Sequence, residues 1–384
     1  MNILMTLSNP FTHDPRVYNE AKSLLNAGHT VTVFAWDRHH KSKKIETKDG
    51  IKIVRSYNNK IMDLLPYDIF KLYFWWKKAY HEVSELHDKN HFDVIHCHNL
   101  DTLPIALKLK KKFDFPVIYD AHEIWGYMVG LDFPNPIVHF FLYLEKRMIR
   151  HIDYIITVND LLKEYFEKLS HKPVNIIMNA KRKKYEQYQP PSNDKFTVVY
   201  QGTLDSSRNL EELIKSVSDL KDVQCIIGGI GHDKSYVDRI MKSCKESENC
   251  TFLGKIPMDK VIPNTRKADL VYLVVSTKAP KIKWPVDVDF PPRFGLANKF
   301  FEALTAGRPI LASTNTYNGI IVDKLGCGIL TECNVKDIKN KIGYLKENKN
   351  LCEKMGRAAF EAGKKWYNWE YQEKKLLEVY TSIQ

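Results

Sequence analysis

Two histidine-bearing strand ends and one helix carry the residues whose types and spacing could do chemistry. Ile95-His96-Cys97-His98-Asn99 and Val117-Ile118-Tyr119-Asp120-Ala121-His122-Glu123 each put a histidine at the C-terminal end of an apolar run. That edge is where sites form in α/β sheets. His96 and His98 alternate along their strand and so point to one face. His122 is the better general acid or base, because Asp120 and Glu123 could orient or polarise it. A zinc site built from these groups competes with that reading, but no HExxH or CxxC spacing supports it. The helix is written in NKFFEALTAGRPILAS, residues Asn298–Ser313. Asn298 is expected to cap its first turn, Gly307 to end its last, and Pro309 to release the chain into a strand. Glu302 lies one turn on from Asn298, on a small and polar side away from Phe300, Phe301 and Leu304. A carboxylate there could grip the hydroxyls of a ligand that also carries phosphate, since a helix N-terminus attracts anions. Complementing the helix dipole is its plainer role.

Loops suited to phosphate lie upstream of that helix. Gly202-Thr203 closes a strand and Arg208 opens the next helical stretch. Gly202 would let a ligand approach the backbone, while Thr203 and Arg208 could hydrogen-bond phosphate oxygens. Gly229 and Gly231 follow the next strand in a loop fit for a diphosphate. The first strand lacks GxGxxG, which counts against a nicotinamide or flavin enzyme. Elsewhere, Phe70–Val83 interleaves aromatics with lysines. Trp75, Trp76, Lys77 and Lys78 read as an interfacial helix at an anionic membrane, with single-stranded nucleic acid or a plain buried aromatic side as alternatives. Trp125 opens a second aromatic stretch directly after His122. With Asp14, Arg16 and His98 it is a candidate for the acceptor side of the site.

The elements that must position these groups alternate. Apolar strand runs and helical patterns succeed one another from Ile3–Leu7 onward, break at the polar stretch around Pro190-Pro191, and then begin afresh. This predicts two successive doubly wound α/β domains, with ligands beyond the C-terminal strand ends. The expected boundaries are 1–182 for the first domain, 183–195 for a linker, 196–365 for the second domain and 366–384 for a closing helix. A bend near Trp366 would return that helix to the first domain. The chain of 384 residues has a formal net charge of +12, which fits nucleic acid, anionic lipid or a phosphorylated substrate without choosing among them. Its 7 cysteines show no metal spacing, so reduced thiols in a cytosolic compartment are expected. The N-terminus reads as a first strand, and no membrane-spanning helix is expected.

Taken together these motifs resemble the family 4 glycosyltransferases of two-domain GT-B architecture. The resemblance covers nearly the whole chain. It rests on DPRVYNEAKSLLNAGHTVTVFAW, DVIHCHNL, PVIYDAHE, QGTLDSSRNLEELIKSV and, most specifically, ANKFFEALTAGRPILAS. It implies two Rossmann-like domains facing a central cleft. It also implies retaining transfer of a sugar from a nucleotide diphosphate sugar to an acceptor hydroxyl, without a bound metal. On that likeness Glu302 holds the ribose, Arg208 neutralises the diphosphate, and His122 sits beside the reacting centre. Gly254-Lys255-Ile256-Pro257 flanks the base. Two departures stand out. Phe294 occupies the place where many members carry a first glutamate, and Gly202-Thr203 replaces Gly-Arg, so Lys299 and nearby backbone N–H groups are expected to compensate. The expected partners are a nucleotide-sugar donor and a lipid-linked or glycan acceptor, with no nucleic acid. The expected location is cytoplasmic, with peripheral attachment to the inner membrane face as a further expectation. A nucleotide-sugar epimerase of the same fold and a non-enzymatic nucleic-acid binder are the competing functions. The stretch Thr277–Pro292 is expected to line the donor pocket.

Overall fold

The computed structural model describes residues 1–130, 132–276 and 282–383. The expected donor-pocket stretch Thr277–Pro292 therefore falls partly outside the described residues. Two compact units emerge: residues 1–178, 280–289 and 373–384 form the first, and residues 179–279 and 290–372 form the second. The polar stretch 183–195 thus belongs with the second unit, and the last 12 residues belong with the first.

In the first unit the described strands are β1 (Asn2–Leu7), β2 (Thr30–Asp37), β3 (Ile45–Lys48), β4 (Ile51–Tyr57), β5 (Val94–His98), β6 (Val117–Ala121), β7 (Tyr154–Thr157) and β8 (Val174–Ile176). Their order is β3-β4-β2-β1-β5-β6-β7-β8. Every neighbouring pair is parallel except β3–β4. β5 and β6 are buried at every position, as a parallel sheet covered on both faces requires. β3 is absent from the sequence reading. It is short and mostly exposed, and a two-residue Asp49-Gly50 turn folds it against β4, with both turn residues at positive φ. The helix Pro15–Asn26 begins on a signal local to the sequence: Asp14 accepts from Val17 N at 3.1 Å and Pro15 fills the first position.

The second unit holds β9 (Phe196–Thr203), β10 (Val223–Ile230), β11 (Cys250–Phe252), β12 (Leu270–Leu273), β13 (Ile310–Ser313) and β14 (Gly328–Thr331). These form a parallel sheet ordered β11-β10-β9-β12-β13-β14. Its core packs Tyr200, Leu213, Ile227, Tyr272 and Leu311 between the sheet and its helices. In both sheets the strand order turns back beside the first strand of the unit, at β1/β5 and at β9/β12.

The last helical stretch is two helices, Lys349–Lys365 and Trp369–Thr381. Asn368 makes the break: its Nδ2 donates to the carbonyls of Gly363 and Lys364 at 2.8 and 2.9 Å, and its Oδ1 accepts from Tyr371 N at 2.9 Å. One side chain thus closes the first helix and caps the second. All seven cysteines are free thiols, and no described helix is long and apolar enough to cross a membrane.

Candidate functional site

In the first unit the histidine strand ends converge on a buried ionic cluster. Asp120, on β6, is fully buried and receives Arg16 through both Nε, at 3.0 Å, and Nη2, at 2.7 Å. Arg16 also donates to the carbonyl of Ile177 at 2.7 Å and lies 3.2 Å from Glu20. His98 Nδ1 and His122 Nε2 stand 3.2 and 3.1 Å from the same Asp120 oxygen. His96 Nδ1 meets the hydroxyl of Tyr380, from the closing helix, at 2.8 Å. Burial pushes the Asp120 carboxyl up, but Arg16 and His122 outweigh it and hold the group well below the carboxylate range. Burial raises Glu20 well above its ordinary value against the pull of Arg16. Burial, with His96 adding to it, lowers His98 to about 3.

This arrangement corrects several expectations. Arg16 and His98 are buried and committed to Asp120, so they hold the cluster together and offer nothing to an acceptor. Asp14 is held by its capping bond and by Asn9 Nδ2 at 2.9 Å. Asp120 is sealed from solvent and serves as a positioning residue for His122. His122 itself is only half-buried, and Asn99 Oδ1 accepts from its backbone N–H at 3.2 Å. Glu123 is half-buried beside it, with burial raising its carboxyl against the opposing charge of His122. Trp125 is half-buried, and its indole N–H has no hydrogen-bond partner among the described residues.

Glu20, His96, His98 and Asp120 bring one ligand atom each within 4.8 Å of one another, a grouping that could hold a metal ion. Arg16 lies among the same groups, 2.7 Å from Asp120 and 3.2 Å from Glu20, so the fully buried cluster already contains one cation.

In the second unit the ends of β9 and β10 are built from close backbone contacts. Gly202 and Gly229 are register partners at φ +142° and +150°, and a Cβ on Gly229 would stand 1.7 Å from the Gly202 carbonyl oxygen. Gly231 is confined in the same way by the Leu204 carbonyl, 2.3 Å from where its Cβ would lie. Gly202 differs from expectation: the space above it is filled by Lys299, whose Nζ lies 2.6 Å from the position of a Cβ. That ammonium also stands 4.4 Å over the ring of Tyr200. Burial, then the nearby Arg208, lowers Lys299 to about 8, against the pull of Glu302 and Asp205. Arg208 lies in a short 3-10 turn, Ser206–Arg208, with the helix starting only at Leu210, and its Nε donates to Asp205 at 3.0 Å. Thr203 is exposed at the end of β9. Lys255 is exposed, and the half-buried Ile256 packs over Gly228.

The helix Asn298–Ala306 ends at Gly307 with φ 68°, as expected. Its start differs. Ala297 is the N-cap and no side chain caps the turn, because the Asn298 Oδ1 accepts instead from Lys181 Nζ at 3.2 Å and from Asn179 Nδ2 at 3.3 Å. Lys181 also lies 3.4 Å from Glu302 Oε1, so one ammonium spans the two residues a turn apart. Lys181 is missing from the sequence reading. It stands in the charged run KRKK, and only its bridge to Asn368 and its carbonyl's bond from Trp369 N, at 2.9 Å, show that its backbone is fixed. Phe294 is buried against Phe290 at 4.6 Å between ring centroids, so this position brings no carboxylate near the helix.

The helix Asp68–Asn90 also corrects the sequence. Trp75 is fully buried and stacks on Trp36 at 4.5 Å, so it cannot enter a membrane surface. Trp76 donates its indole N–H to the Asp101 carbonyl at 2.6 Å, and Lys78 donates to the Tyr57 carbonyl at 2.6 Å. Lys77 remains exposed, 4.3 Å over the ring of Tyr73.

Comparison with known proteins matches residues 16–180 to the model described as Glycosyltransferase Family 4 and residues 181–362 to that described as Glycosyl transferases group 1. An uncharacterized glycosyltransferase of Bacillus subtilis, YqgM, is 26% identical over 175 residues, which is 44% of this chain and 47% of that protein, so the match spans about half of the relative's length. Among solved structures, a sucrose-phosphate synthase from Thermosynechococcus elongatus superposes with a TM-score of 0.75 at 17% identity, over 100% of this chain and 99% of the other. Anabaena HepE in complex with UDP-glucose superposes with a TM-score of 0.70 at 14% identity over 100% of both chains.

Proposed function

The chain is a family 4-like glycosyltransferase of the GT-B type, and from that premise we propose that it moves a sugar, with retention at the anomeric carbon, from a nucleoside diphosphate sugar to a hydroxyl of a lipid-linked or glycan acceptor. Cell-surface polysaccharide or glycoconjugate synthesis, at the inner face of a membrane, is the setting this reading assigns. The observation that carries it is Lys299. It is a half-buried ammonium on the first turn of a helix with no side-chain cap, lying over a glycine at a strand end, with Arg208 near enough to depress its pKa and Glu302 one turn further on. A diphosphate seated there meets two cations and free first-turn N–H groups, while Glu302 accepts from the ribose hydroxyls. The structurally similar HepE is described with UDP-glucose, which supports a donor of this class.

As the bond to the sugar breaks, negative charge grows on the β-phosphate. Lys299, Arg208 and the helix N-terminus stabilise it without requiring a metal. His122, oriented through Asp120, stands on the acceptor side, where it hydrogen-bonds the transferred sugar or the attacking hydroxyl.

Glu302→Ala is expected to weaken nucleoside diphosphate binding roughly 10- to 150-fold, the range for hydrogen bonds to a charged group. The protein should stay folded, because the Glu302–Lys181 pair is partly solvated and contributes little to stability. Unchanged affinity in calorimetry would remove the assigned role. A pH effect should accompany it. Lys299 titrates near 8, so below that pH the ammonium is present and donor affinity is full. As pH rises through about 8 the affinity should fall, and binding near pH 8 should take up protons, which calorimetry in buffers of different ionisation enthalpy detects. A flat profile between pH 7 and pH 9 would contradict this.

A further inference from the structure

The first unit has a second concave surface, lined by residues other than those of the histidine cluster. It is a groove of about 790 Å³ between the helices Leu103–Phe113 and Asn135–Met148. Its floor is aliphatic, from Leu107, Leu144 and Met148, and its rim is basic, from Lys108, Lys111 and Arg147. The spacing explains the arrangement: Leu107 with Lys111, and Leu144 with Met148, are i and i+4 pairs, so each helix turns one row of side chains into the groove. The adjacent Lys110 is already paired, 2.5 Å from Asp153. Lys108, Lys111 and Arg147 have no carboxylate partner among the described residues, and Asp114 is the acidic residue on the lining.

Aromatic residues border this groove on the solvent side. Phe140 and Tyr143 are 55% and 57% exposed. Arg147 donates to the Tyr143 hydroxyl at 3.1 Å. Lys108 lies 4.0 Å over the ring of Tyr80, and along the same helix as Tyr80 come Lys77 and the exposed Tyr73. Half-exposed rings beside unpaired cations suit the boundary of a bilayer, where the rings reach headgroup depth and the cations meet phosphate. A single-stranded nucleic acid would call for aromatic platforms at the bottom of the groove. Here the bottom is Leu107, Leu144 and Met148, which suits the first methylenes of an acyl chain.

We infer that the groove between helices Leu103–Phe113 and Asn135–Met148 binds an anionic phospholipid of a bilayer surface, with Lys108, Lys111 and Arg147 on its phosphate and Leu107, Leu144 and Met148 along its chain. This rests on the reading of a membrane-linked acceptor and gives it a surface. It also moves the membrane contact away from Trp75 and Trp76, which are turned inward.

The test is co-sedimentation of the full chain with extruded vesicles of phosphatidylcholine alone or mixed with phosphatidylglycerol. The wild type should bind the mixed vesicles and not the neutral ones. Lys108→Glu with Lys111→Glu and Arg147→Glu should weaken that binding roughly 100-fold, as expected for three charges near an anionic surface. Nucleoside diphosphate affinity, measured on the same variant, should be unchanged. Phe140→Ser with Tyr143→Ser should weaken vesicle binding at high salt, where the charges are screened. If the wild type binds mixed vesicles and the triple variant binds them equally well, the groove is not the contact, although the membrane reading stands. If the wild type ignores anionic vesicles, both fall. If it binds single-stranded RNA and the triple variant loses that instead, the surface serves nucleic acid and the inference is overturned.

Discussion

Lys299→Met is expected to lower kcat by about 10²- to 10³-fold, the size of effect seen when one preorganised stabiliser of developing charge is removed. The argument starts from Gly202. Its φ of +142° and the 2.6 Å between Lys299 Nζ and an imagined Cβ mean that the strand end is shaped around the ammonium. The side chain is therefore placed before any donor arrives, and its charge needs no rearrangement as the leaving diphosphate develops. Arg208 is tied to Asp205 in the preceding turn and supplies a second cation whose net charge is partly cancelled. Lys299 should accordingly matter more than Arg208, and Arg208→Met should cost less. Gly202→Ala is a structural counterpart: the added methyl must displace Lys299, so it should reproduce most of the loss without removing any functional group. If Lys299→Met keeps near-normal kcat and only KM changes, the ammonium acts on ground-state binding alone and its assigned transition-state role is wrong.

The second large effect concerns the other unit. Arg16→Met is expected to destabilise the fold by about 3–5 kcal/mol, because it leaves the Asp120 carboxylate buried without its guanidinium partner. Urea unfolding should show the loss as a lower midpoint with unchanged slope. The double variant Arg16→Met with Asp120→Asn should recover part of it, since removing both partners avoids the uncompensated charge. A change below about 1 kcal/mol would mean that the cluster rearranges or hydrates, and that Asp120 does not hold His122 through a rigid network.

Much of the fold is legible in the chain because parallel strands buried on both faces are apolar runs, and helices between them carry their own start and stop signals. The Asp14-Pro15 start and the Gly307 stop are local chemistry, and the structure shows both where the sequence puts them. The misses are of two physical kinds. Some are local signals outranked by neighbours. Asn298 looks like a cap, but Lys181 and Asn179 take its side-chain oxygen. Asp49-Gly50 is a hairpin turn whose strand β3 is too short and polar to announce itself. Others are long-range, and no periodicity reports them. Arg16 reads as an acceptor-side candidate until β6 brings Asp120 to it across 104 residues. Trp75 reads as an interfacial ring until Trp36 stacks on it. Lys181 sits in a charge run that looks solvated. Gly202 and Gly229 read as places where a ligand approaches the backbone, and the structure puts a lysine over the first and a neighbouring backbone against the second.

The central claim, that the strand-end site of the second unit binds a nucleoside diphosphate sugar, is tested most directly by thermal unfolding of the purified chain with UDP-, GDP- and ADP-sugars. A ligand that binds only the folded state raises the midpoint, by about 2.7 kcal/mol of stabilisation at 100 times its Kd. One nucleotide series should raise the midpoint, the corresponding free diphosphate should do the same, and Glu302→Ala should cut the shift to about half or less at the same ligand concentration. If no nucleotide sugar or diphosphate moves the midpoint, or if Glu302→Ala shifts as the wild type does, the site is not a donor site.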